Sequence, residues 1–110
     1  MTQGLTNAES FEILVIITPK ETMGVQVYPH VNGGYINVDK ASDSEGLKSK
    51  LLNYNDSHFL YWGMDDEHDI FAMFNFTLES GFPLESFEIV LRSIENLDEY
   101  VGELKDLAGM

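Results

Sequence analysis

The densest run of groups able to do chemistry is Asp65-Asp66-Glu67-His68-Asp69. Carboxylates and an imidazole of this kind can hold a divalent cation, but the run lacks the alternating ligands, central glycine and late glutamate of a calcium loop. It reads as a solvated hairpin turn. The three histidines, His30, His58 and His68, include no pair at the i, i+4 spacing with which a helix presents two imidazoles to a metal. They read as separate surface or strand-edge residues. Serines and carboxylates are plentiful, yet neither a Gly-x-Ser-x-Gly elbow nor a phosphate-cradling glycine loop occurs. Adjacent carboxylates such as Asp65/Asp66 and Asp98/Glu99 fall in polar stretches, without the apolar surroundings that suit a carboxylic acid to acid catalysis. With no cysteine there is no thiolate nucleophile, disulfide or thiolate metal site. The expectation is a protein that is not an enzyme, with no catalytic, cofactor-binding or metal-binding residues.

A second set with chemical potential is aromatic: Phe59, Tyr61, Trp62, Phe71, Phe74 and Phe76. Such side chains dominate ordinary cores, and core packing is the first reading. The alternative is a small-ligand-binding domain whose aromatic pocket lies between the sheet and the last helix.

Charge narrows the partners. Nineteen acidic and six basic residues give a formal charge of -13, a field that repels nucleic-acid phosphates and anionic lipid alike. From Asp56 onward there are thirteen Asp/Glu against Arg92 and Lys105, so the acid lies mostly in the C-terminal half. No apolar run approaches the ~20 residues of a membrane span, and the opening MTQGLTNAES is no secretory leader. Neither nucleic acid nor membrane is expected as a partner, and the localisation is read as cytoplasmic.

The elements that must position these groups follow from periodicity. At 110 residues the chain reads as a single domain, 1-110, with residues 1–9 and the last two or three expected to fray. Phe11 to Thr18 is a nearly continuous apolar run ending at Pro19, the pattern of a central strand covered on both faces. Val25, Val27 and Val31 alternate with polar residues as a half-dry strand, which Pro29 moves toward a sheet edge. Asn32-Gly33-Gly34 supplies a tight hairpin, and Tyr35 to Val38 returns as a short strand. Ser42-Asp43-Ser44-Glu45 fits a capping box with Ser42 as the cap, opening a short helix with Leu47, Leu51 and Leu52 as its apolar stripe and an end near Asn53 to Asn55. His58 to Met64 and Ile70 to Leu78 read as two further strands around the acidic turn. After Gly81 and Pro83, the positions Phe87, Val90, Ile94, Leu97, Val101, Leu104 and Ala108 predict one helix of about six turns. That stripe is too short for a coiled coil and reads as core.

The expected fold class is α+β: an antiparallel five-stranded sheet, order β-β-β-α-β-β-α, with the helices packed on one face. Strands one and five are apolar on both sides, so the uncovered face is expected to meet something. A second copy of the chain is the simplest candidate, because identical patches complement each other across a two-fold axis. Phe71, Met73 and Trp62 are the candidate interface residues.

From Leu47 to Leu107, Leu51-Leu52 followed by Asn55, a strand pair turning on acidic residues, Leu78 and Pro83 before the last helix, and Phe87, Leu91 and Ile94 within it form a pattern. It resembles the second half of the type III secretion chaperone-like fold, in particular its YbjN/CesT-type group. The resemblance implies a small, acidic, non-enzymatic homodimer that holds a protein client or acts as a regulator. In one respect the chain departs: MTQGLTNAES is too short and too polar to supply the amphipathic helix with which that family begins.

Overall fold

The computed structural model describes residues 7–19, 21–57, 60–78 and 81–110. Five strands and three helices follow in the order β1 (Ser10–Thr18), β2 (Thr22–Val31), β3 (Gly34–Tyr35), α1 (Ser44–Ser57), β4 (Tyr61–Met64), β5 (Ile70–Thr77), α2 (Leu84–Glu95) and α3 (Leu97–Ala108). The fold is α+β, and all strand pairings are antiparallel. The sheet runs β1-β2-β5-β4, with β3 paired to the end of β2. His58 and Phe59, with which the fourth strand was expected to begin, lie outside the described residues, as do residues 1–6.

Register puts Met23, Val25, Val27 and Val31 of β2 on the same face as Ile70, Ala72 and Phe76 of β5 and Trp62 of β4, and all are buried. The helices cover that face with Leu47, Leu51 and Tyr54 from α1, Val90 and Ile94 from α2, and Leu97, Val101, Leu104 and Ala108 from α3. Each such side chain withdrawn from water contributes about 1.5–3 kcal/mol against the entropy of ordering it. Leu52, expected in the α1 stripe, instead faces solvent, and Tyr54 takes its place two residues on.

Two strand positions are exchanged relative to the sequence reading. β1 is an edge strand and β2 a central one. Pro29 is accommodated because the β5 ladder stops at Val27 and the β3 ladder starts at His30, so proline falls between them, where a missing N–H is tolerated. The strand expected over Tyr35 to Val38 leaves β2 after Tyr35 and crosses to the start of β5, where the Ile70 N–H donates to the Ile36 carbonyl and Asn37 bridges Asp69. Asn32 and Gly33, both at positive φ, make the tight turn before it.

The helices also differ in detail. Asp43, not Ser42, caps α1: its carboxylate accepts the Gly46 N–H at 2.9 Å and its carbonyl accepts that of Leu47. The helix then runs on to Ser57. The single long C-terminal helix is two, joined at Asn96, whose N–H turns back to the Ser93 carbonyl, while the Ser93 hydroxyl donates to the Ile89 carbonyl. Side chains that compete for backbone partners bend helices at such places. The core stripe continues through the break, so one apolar face serves both helices. Among the residues expected to fray, positions within the described segments are tied to the fold. Ala8 is buried, Gly109 forms a left-handed cap and the Met110 N–H donates to the Lys105 carbonyl.

Candidate binding surface

The least satisfied part of the molecule is β1. Ile13, Leu14, Val15, Ile16 and Ile17 are 40% to 69% exposed, although their β-branched, apolar character suits a strand buried on both sides. Register explains it: Ile13, Val15 and Ile17 share the helix-side face with Val27, Val25 and Met23, while Leu14 and Ile16 share the opposite face with Gln26 and Gly24. The helix layer covers β2, β5 and β4, and Phe11 of β1 packs against the core, but Ile13 to Ile17 project beyond it, exposed on both faces. Its outer edge has no strand beside it among the described residues. An apolar strand with an open edge is a template for pairing with another chain.

The opposite edge of the sheet is treated differently. On β4, the Asn55 side-chain amide donates to the Trp62 carbonyl at 3.1 Å and its oxygen accepts the Trp62 N–H. One α1 side chain thereby takes both backbone groups of Trp62, which a further strand would otherwise use.

The sheet face away from the helices is mixed. One row reads Leu14, Gln26, Met73, Tyr61 and the next Glu12, Tyr28, Phe71, Gly63. Tyr28 is buried there between the rings of Tyr35 and Phe71, at 5.4 and 5.5 Å. Its hydroxyl donates to Asp65 Oδ2 at 2.9 Å. Burial first, and then this bond to a carboxylate, push its pKa up to about 12. Tyr35 donates to Glu12 at 2.8 Å, which also raises its pKa, and His30 Nε2 lies 3.5 Å from the same carboxylate.

The acidic run is a folded turn. Asp65 Oδ1 accepts the N–H groups of Glu67 and Asp69, His68 takes a positive φ, and Asn37 donates to the buried Asp69 carboxylate at 2.8 Å and to the Glu67 carbonyl. The His68 ring meets Asp39 at 2.8 Å. Asp65 is thus committed to the protein's own donors, and the described residues contain no cluster of three or more groups placed to hold a metal.

Of the residues singled out in the sequence, Phe71 and Met73 lie half-buried on the open face. Trp62 does not join them: it is buried on the helix side, 5.5 Å from the Tyr54 ring. Phe76 and Phe74 pack on the helix side too, with Phe76 6.1 Å from Phe87, and Tyr61 is exposed. Trp62, Phe74 and Phe76 thus pack between sheet and helices, whereas Phe71 and Tyr61 do not. Two shallow grooves lie elsewhere, one between α1 and α3 at Lys50 and Glu103, the other beside Tyr35, Asn37 and Asp69. No helix among the described residues is long and apolar enough to cross a membrane. The bare edge strand went unseen in the sequence because a continuous apolar run has the same composition whether or not it is covered. The available signal was supply: two helical stripes are too narrow to roof every strand.

Compared with known proteins, the chain matches no family model, no curated protein and no solved structure.

Proposed function

We propose that this protein is a non-enzymatic, chaperone-like or regulatory module that acts by binding protein, and that it works as a homodimer. One observation carries the reading: β1 presents five contiguous aliphatic residues on an open sheet edge that its own helices do not cover. Isolated exposed aliphatics are ordinary, but a contiguous strand of them at an edge marks an interaction surface. The committed hydrogen bonding of the Asp65–Asp69 turn also supports it, since the richest polar cluster is occupied with holding strands together. A cytoplasmic setting belongs to the reading.

Sedimentation velocity across a concentration series tests it. A dimer at tens of micromolar is expected. A monomer throughout that range overturns the homodimer.

A further inference from the structure

Resting on that reading, we infer that the partner seated on β1 is the β1 strand of a second copy, paired antiparallel with Val15 on the two-fold axis, so that the two sheets become one. Self-complementarity sets the register. Centring on Val15 places Ile13 opposite Ile17 and Leu14 opposite Ile16, so all five aliphatics meet aliphatics, and Glu12 falls opposite Thr18. Centring one residue earlier, on Leu14, sets Glu12 against Ile16 and buries a carboxylate beside an aliphatic chain. Faces are preserved by the axis, so both helix layers lie on the same side of the joined sheet.

Charge selects the same strand. Two bodies of formal charge -13 repel, and the acid is concentrated in the C-terminal half. The sheet order puts β4, β5 and the acidic turn on the far side of β2 from β1. Between Phe11 and Thr18 the sole charged side chain is Glu12, held within its own protomer by Tyr35. Side-by-side joining through β1 keeps the acidic regions apart, whereas stacking the open faces would bring both acidic turns toward the contact.

Area fixes the strength. Five aliphatics 40% to 69% exposed offer less than the ~800 Å² per partner of a standard interface. Beyond the strand, Phe82 is a further exposed apolar side chain, its ring 5.3 Å from that of Phe87. A patch of this size fits a weak, reversible dimer rather than an obligate one.

The absence of cysteine from the chain allows a clean test by single-cysteine scanning of residues 13–17 under mild oxidation, with sedimentation of each reduced variant alongside. Paired residues of an antiparallel ladder stand about 4.5–5.5 Å apart at Cα, within disulfide reach. Val15→Cys is expected to cross-link with itself fastest. Ile13→Cys and Ile17→Cys should cross-link weakly alone but readily when mixed. Val15→Lys, at a half-exposed site the monomer tolerates, should keep its melting temperature at low concentration and weaken dimerisation roughly 100-fold. If the protein is a dimer but Gln26→Cys or Met73→Cys cross-links in preference to every β1 position, the strand pairing is wrong while the homodimer stands. A maximum at residue 14 or 16 overturns the register. A monomer that instead captures an added apolar β-strand peptide on β1 overturns both.

Discussion

Tyr28 and Asp65 join the middle of the sheet to the β4–β5 turn through a single 2.9 Å hydrogen bond. Its consequence is alkaline sensitivity. The Tyr28 phenol has its pKa raised from 10.0 to about 12, so the folded state holds the proton more tightly than the unfolded state. That stability is fully present below pH 10 and is lost as the pH rises toward 12. Tyr35 is shifted in the same direction, as is Tyr54. Urea unfolding at pH 8, 10 and 11 should show the decline, and Tyr28→Phe should make it shallower while costing about 1.5–3 kcal/mol at pH 8. A wild-type protein equally stable at pH 8 and 11 would contradict the arrangement.

Asp98 fastens the beginning of the described chain to α3: its Oδ1 accepts the N–H groups of Asn7 and Ala8 at 3.0 and 2.8 Å, while the Asn7 side chain donates to the Asp98 carbonyl. Asp98→Ala should lower stability by about 2 kcal/mol. In hydrogen exchange the amides of Asn7 and Ala8 should lose protection while the β5 amides keep theirs.

The α1 cap separates two neighbouring residues. Asp43→Ala should cost about 1 kcal/mol in denaturant unfolding. Ser42→Ala, at the position the capping-box pattern favours, should change stability by less than ~0.5 kcal/mol. Equal effects would mean that the helix begins one residue earlier.

Leu97 stands at the start of α3 and is almost wholly buried. Leu97→Asp places an unpaired carboxylate beneath both C-terminal helices and should cost more than about 4 kcal/mol, leaving the protein unfolded or aggregated. Circular dichroism and size-exclusion chromatography would expose a variant that remains folded and monodisperse.

Short-range chemistry carried most of the fold into the sequence. Alternation at Val25, Val27 and Val31, the Asn32-Gly33 turn and the stripe from Val90 to Ala108 all act within a few residues, and each corresponds to what forms. Long-range partnership was less legible. Whether Phe11 to Thr18 lies inside or at the rim depends on β5 pairing with β2 across more than forty intervening residues, and Pro29 pointed the other way. The break at Asn96 was hidden because the core spacing passes through it undisturbed. Of the three candidate interface residues, alternation put Phe71 and Met73 on the open face, away from β1, while Trp62, read within the apolar run His58 to Met64, lies on the helix side.

The Asn55 amide on Trp62 has a consequence for how far association can proceed. An edge that pairs only with its own kind stops at two copies, whereas an edge able to join the opposite rim of the next molecule would add subunits without limit. By occupying the Trp62 N–H and carbonyl from within, α1 takes the middle of β4 out of use for a further strand. If copies join through β1 as proposed, one helix side chain guards the opposite rim of the sheet against a further strand.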